Sequence, residues 1–248
     1  GGAGIAREEG KVYFVSGGVP GDVAEIKITR DKGRFAEAVV VDILEPSPDR
    51  VDPECPVFES CGGCELQNMD YEAQLRHKEN ILRDTLERIG GFQDVNIEPI
   101  TPSPEQYGYR NRVTLSAFFY SGCWHIGYNQ KRSKRKVTLA GCPVADGPIE
   151  AAIARLSEVL SSIGDSGYGL EKIHISSNTD NAYITLVAKE DKRARSLNAM
   201  AKHLKRYKET ENVSVFGQGE VEFEYVCGEF RFLSKPSVFA QANYEVNK

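Results

Sequence analysis

Residues 55 to 64 read CPVFESCGGC, three cysteines separated by five residues and then by two. Thiolates are soft ligands, and three on one short loop point to a bound metal or an iron–sulfur group. Gly62 and Gly63 permit the tight backbone approach that aims amide N–H groups at a cluster. Such clusters are normally held by four thiolates, so a fourth is expected among Cys123, Cys142 and Cys227. Cys123 precedes Trp124 in a strand pattern, and Cys227 ends one. Cys142 stands in AGCPVAD, a bend with the same Cys-Pro context as Cys55, and is the preferred partner. Zinc could use the same thiolates, but zinc ribbons favour paired CxxC knuckles, and one pair alone has that spacing here. Radical S-adenosylmethionine loops use a shorter first spacing. Spacing alone places iron–sulfur ahead and leaves zinc open.

Positive charge gathers in two further places. QKRSKRK (130 to 136) carries five cations in seven residues, and YRNR (109 to 112) carries two more. The formal net charge is -5, which by itself argues against a nucleic-acid partner, but patches matter more than totals. A charge run taken alone is also what a plain solvated face looks like.

These residues must be positioned by a chain of 248 residues, 40% hydrophobic, enough for one large domain or several small ones. No stretch approaches the roughly 18 consecutive apolar residues of a membrane span, and the N-terminus lacks a signal-peptide pattern. A cytoplasmic protein with no membrane partner is expected, where clustered thiols stay reduced. Residues 1 to 45 alternate short β-branched runs, around Val12–Val15, Val23–Ile28 and Ala36–Leu44, with the breakers SGGVPGD and DKGR. That pattern predicts an OB-like barrel. EPSPDRVDPECP is an extended linker. Tyr71, Leu75, Leu82, Leu86 and Ile89 form one apolar stripe of a helix capped by Asp70 and stopped at Gly90-Gly91. Beyond it, RVTLSAFFY, CWHIGY and RKVTL read as a meander, followed by a helix over 149 to 163 and a hairpin turning at NTDN. A second helix over Lys192 to Arg206 and the strands VSVFG, VEFEYVC and FRFLS complete an α+β region with an antiparallel sheet.

Taken together, GGAGIAR and PGD in the barrel, CPVFESCGGCELQ leading into YEAQLRHK, YRNR, AGCPV and FAQAN resemble the RNA (uracil-5-)-methyltransferases, specifically the TRAM-bearing type that acts on 23S ribosomal RNA. The motifs run in the family's order over essentially the whole chain. The resemblance implies that the barrel is a TRAM domain and that Cys55, Cys61, Cys64 and Cys142 hold a 4Fe-4S cluster. It implies that Gln241 belongs to an S-adenosylmethionine site and that Phe239 lies beside the target base. The implied chemistry is methyl transfer to uracil C5. A cysteine thiolate adds at C6 to make C5 nucleophilic, and a base later removes the C5 proton, on a nucleotide taken out of its stack. Tyr109, Arg110, Arg112, Lys131, Arg132, Lys134 and Arg135 are then the candidates for holding RNA.

The expected fold class is accordingly multidomain: an all-β OB-like barrel, an α+β central domain with an antiparallel sheet, and a Rossmann-like methyltransferase domain essentially absent. The expected parts are a barrel over 1–47, a cluster loop over 48–68, a helix over 69–99, an RNA-binding domain over 100–235 and the start of the methyltransferase domain over 236–248. The chain ends at EVNK soon after FAQAN. The nucleophile, the general base and the glycine-rich cofactor loop are therefore expected outside it, leaving this chain inert alone. The 71–89 helix is expected to lack its packing partner and to move, collapse or self-associate. The alternatives are a standalone cluster-bearing RNA-binding protein and an enzyme acting on transfer RNA.

Overall fold

A computed structural model describes residues 2–164, 168–190, 194–243 and 245–246. The chain divides into two compact units, Gly1–Pro102 and Ser103–Lys248.

The first unit opens with β1 (Gly4–Glu8), β2 (Lys11–Ser16), β3 (Val23–Asp31) and β4 (Phe35–Glu45). They pair in the order β1-β2-β4-β3, with β2 and β4 parallel and the outer pairs antiparallel. The expected strands correspond to β2, β3 and β4. β1 escapes the sequence reading because Gly4–Glu8 has no apolar alternation. β1 and β3 are the edges of this four-stranded mixed sheet. Its apolar interior is small, formed by Val15, Ala36 and Ala38.

The turn before β3 is fastened to the linker by one carboxylate. Asp22 accepts from the backbone N–H of Val19 and of Ser47 and from Nε and a terminal nitrogen of Arg50. Burial pushes its pKa up, but the bonds from Arg50, Ser47 and Val19 outweigh this and hold it at about 2. The helix α1 (Tyr71–Asp84) starts on the Asp70 carboxylate, which accepts from the Ala73 N–H, and ends in a π-helical turn over Thr85–Ile89. Ala73 is buried, but the apolar stripe is largely open: Leu82 is 48% exposed and Ile89 83%.

The second unit is built on a six-stranded sheet. Its strands are β5 (Arg112–Tyr120), β6 (Cys123–Asn129), β7 (Lys136–Thr138), β8 (Leu170–Ser177), β9 (Ala182–Ala188) and β10 (Val213–Val215), in the order β10-β9-β8-β5-β6-β7. The helix α2 (Gly147–Ser161) begins where Asp146 accepts from the Ile149 N–H. Its stripe of Ile149, Ile153, Leu156 and Leu160 is fully buried. The helix α3 (Ala194–Leu204) buries Leu197, Met200 and Leu204; the expected start at Lys192 and Arg193 lies outside the described residues. Burying a side chain of this kind contributes about 1.5–3 kcal/mol, so these two stripes and the sheet face beneath them are the main core of the unit.

The antiparallel-sheet expectation is corrected here. β10 pairs with β9 in parallel, because the chain travels from one to the other through α3, and a helical crossover returns a strand in the same direction. A separate hairpin, β11 (Phe223–Cys227) and β12 (Phe230–Ser234), completes the unit.

Candidate functional site

In the second unit, YRNR and FAQAN lie side by side although about 130 residues separate them in sequence. The Asn111 N–H donates to the Ala242 carbonyl at 2.9 Å, and Arg110 bridges Asn243. A terminal nitrogen of Arg112 donates to the Pro236 carbonyl at 2.7 Å. On its other side Arg110 bridges Ala145, and its carbonyl accepts from the Asp146 N–H at 3.0 Å. Asp146 thus links this seam to the start of α2, and its carboxylate also accepts from the Ser177 hydroxyl. Burial raises the Asp146 pKa, against the lowering effect of the Ser177 and Ile149 bonds.

Beside this seam is a cavity of about 310 Å³. Its walls include Asn111 and Arg112 from the start of β5, Ser176 and Ser177 from β8, Phe223, Tyr225 and Phe232 from the hairpin, and Ala240 and Gln241. The hairpin pairs Phe223 with Ser234 and Tyr225 with Phe232, so its aromatics fall on one face. Tyr225 and Phe232 stack with centroids 5.2 Å apart and planes 17° apart. Phe223 stacks on Tyr183 of β9 at 4.7 Å and 16°, which seats the hairpin over the sheet. Burial lowers the Arg112 pKa from its ordinary guanidinium value, although the group stays cationic at neutral pH. Asn111 Oδ1 is buried without a hydrogen-bond partner, as is Arg110 Nε. Flat rings and a side-chain amide from Gln241 suit a ligand with a planar heterocycle and a polar edge.

Of the residues expected from sequence, Arg112 and Gln241 therefore meet at this cavity. Tyr109 and Arg110 belong to the seam beside it and are half-buried. Phe239 is 81% exposed, and it does not line the cavity. Lys131, Arg132, Lys134 and Arg135 sit on the turn between β6 and β7, closed by a 2.8 Å bond from the Gln130 N–H to the Arg135 carbonyl. Arg132, Lys134 and Arg135 are exposed there. Asn111, Phe223, Tyr225 and Phe232 were missed. The available signal was the period-two aromatic spacing in VEFEYVC and FRFLS.

The cysteines divide between the units. Cys55, Cys61 and Cys64 lie in the irregular segment before α1, and Cys142 lies in the bend before α2. Cys61 and Cys142 are buried, and Cys61 Sγ accepts from the Gly63 N–H at 3.4 Å. The donor chemistry of four thiols fits an iron–sulfur group. Among the described residues no group of three or more His, Cys, Asp or Glu side chains is placed to hold a metal ion.

Comparison with known proteins places these features. Residues 1–41 match the TRAM domain model. The chain is 40% identical over 176 residues to an uncharacterized RNA methyltransferase of Gloeobacter violaceus, covering 70% of this chain and 38% of that protein. It is 30% identical over 263 residues to the 23S rRNA (uracil(1939)-C(5))-methyltransferase RlmD of Vibrio parahaemolyticus, covering 100% of this chain and 57% of that one. In fold it resembles the crystal structure of Pyrococcus abyssi tRNA (uracil-54, C5)-methyltransferase in complex with S-adenosyl-L-homocysteine. The TM-score is 0.62 at 24% identity, covering 99% of this chain and 60% of that one. The chain spans roughly two fifths to three fifths of the curated relatives it matches. The expected fold class, with its methyltransferase part essentially absent, is overturned by this coverage. The likeness of fold extends along this chain and over 60% of that one. Residues 1–41 are thus similar to a TRAM domain, and the chain as a whole is similar to part of an RNA uracil-C5 methyltransferase.

Proposed function

We propose that this chain recognises RNA and contributes to the cofactor site of an S-adenosylmethionine-dependent uracil-C5 methyltransferase whose substrate is 23S ribosomal RNA. The observation that carries the reading is the seam that brings Gln241 and Arg112 to one cavity. S-adenosylmethionine, when bound, supplies the methyl group. Of this chain's own residues, Gln241 offers an amide to the cofactor, and Tyr225 and Phe232 offer flat apolar walls. At about 310 Å³ the cavity is at the small end of ligand sites, about 300–1,000 Å³, and suits one nucleoside-sized moiety. Arg132, Lys134 and Arg135 on the β6–β7 turn are read as phosphate contacts.

The cysteine loop is a finer part of the reading. Its soft donors and spacing support a 4Fe-4S cluster on Cys55, Cys61 and Cys64. No step of methyl transfer is routed through it. Self-association through the open stripe of α1 is likewise a proposal, supported by the exposure of Leu82 and Ile89.

The test is binding of a 23S ribosomal RNA fragment and of a transfer RNA across a salt series. Wild type is expected to prefer the ribosomal fragment. Arg132→Ala with Arg135→Ala is expected to weaken binding and to flatten the salt slope by about 0.7–0.9 per lost phosphate contact. Unchanged affinity and slope would remove the turn from the interface. A preference for the transfer RNA would reassign the substrate.

A further inference from the structure

The six-stranded sheet has two unlike faces. Val113 and Leu115 on β5, Ile126 on β6, Ile173 on β8 and Ile184 on β9 are buried, and α2 packs on β6, β8 and β9 and α3 on β9 and β10. The alternate residues face the other way, and apart from Val187 and Gly127 those paired along β5, β6, β8 and β9 are mostly polar, cationic or aromatic. The register sets Thr114 beside His174, Ser116 beside Lys172, and Phe118 beside His125. Thr114 Oγ1 and His174 Nδ1 are 2.9 Å apart. Lys136 Nζ donates to Ser116 Oγ at 2.8 Å and to Asn129 Oδ1 at 2.6 Å.

One end of this face is aromatic and open. The rings of Phe118 and His125 stack at 5.6 Å and 24°, Tyr120 lies 6.3 Å from His125, and Tyr120 is 68% exposed. The other end is roofed by the β11–β12 hairpin through Tyr183 and Phe223, and the cavity of Arg112, Ser176 and Gln241 lies under that roof. The face therefore leads from an open aromatic platform, past Lys136 and Lys172, into the cavity. Glu220 is at the roofed end, held by the Ser237 and Thr185 hydroxyls, and Glu171 lies 3.8 Å from Lys172.

We propose that this face is a track for single-stranded RNA, with nucleobases stacking on Tyr120 and the Phe118–His125 pair and the strand leading toward the cavity of Gln241. The proposal rests on the RNA reading above and extends it to residues outside the basic turn. Stacking on aromatic faces tolerates any base, and hydroxyls with scattered cations suit phosphates and 2′-hydroxyls. A protein-docking face would have an apolar, charge-depleted centre; the centre here is Thr114, Ser116, His174 and Lys172.

The test uses a fluorescein-labelled oligouridine of about 12 nucleotides, within the span of a single-strand binding surface. Tyr120→Ala is expected to weaken binding about fivefold or more with an unchanged salt slope. Lys136→Gln is expected to lower the slope by about 0.7. Wild-type protein irradiated with a 4-thiouridine version of the probe is expected to form adducts within residues 112–129, a readout independent of any variant's folding. Adducts confined to residues 131–135, with both variants binding like wild type, would overturn the track while leaving the RNA reading intact. A concentration-dependent dimer abolished by Tyr120→Ala, with RNA affinity unchanged, would assign the face to a second copy and also overturn it. Wild type that binds neither the oligouridine nor 23S ribosomal RNA would overturn the RNA reading itself.

Discussion

Replacing Asp22 by Asn tests whether one carboxylate fastens the first unit's sheet to its linker. Asp22 accepts four hydrogen bonds, two from backbone N–H groups and two from Arg50, and its side chain is 4% exposed. Its pKa falls from 3.8 to about 2. At about 1.4 kcal/mol per unit, that depression is worth about 2 kcal/mol of folding stability. Asn keeps the shape but loses the charge and sets an N–H₂ against groups that are all donors. Breaking a buried pair costs about 3–5 kcal/mol. Arg50 keeps 20% of its side chain in solvent, so the lower end, about 3 kcal/mol at neutral pH, is expected. Because the folded pKa is depressed, the ionic part of the stability is present above pH 3.8 and is lost as the pH falls through about 2. The difference between wild type and variant should therefore shrink by about 2 kcal/mol over that window. Urea titrations followed by the amide NMR signals of β2 and β4 report on this unit specifically. A deficit below about 1 kcal/mol at neutral pH, or one that does not change between pH 4 and 2, would refute the reasoning.

Two other substitutions probe the framework around the proposed interfaces. A Cβ on Gly127 would lie 1.7 Å from the Val137 carbonyl oxygen, so Gly127→Ala must part β6 from β7. A cost of about 3 kcal/mol is expected, read as a lower Tm, with a reduced RNA salt slope as the basic turn shifts. For the cysteine loop, anaerobic purification of wild type and Cys61→Ser should show iron and acid-labile sulfide in the first and their loss in the second. Stoichiometric zinc without iron would overturn the assignment.

Elements with a strong local signal were legible before any coordinates. The α2 stripe from Ile153 to Ile163 follows helical spacing and is buried through Leu160. Asp70 caps α1, and NTDN turns the β8–β9 hairpin with Asn178 Oδ1 accepting from the Asp180 and Asn181 N–H groups. Less legible was β1, whose residues pack too little to impose an alternating pattern. The parallel pairing of β10 was hidden for a different reason. Strand direction depends on the route of the intervening helix, which three residues of VSV cannot encode.

What the sequence determined alone was chemical inventory: three spaced thiols, a basic turn, and the motifs YRNR and FAQAN that carry the resemblance. Each is local, so spacing and residue type suffice to read it. Tertiary structure decided which of these share a place. The Asn111–Ala242 bond brings YRNR to FAQAN, and the stacking of Phe223 on Tyr183 closes an aromatic hairpin over Arg112 and Gln241. The same geometry leaves the basic turn away from the cavity walls. Such contacts join residues far apart in the chain, and the pairing that creates them is set by the whole sheet's register rather than by any single segment.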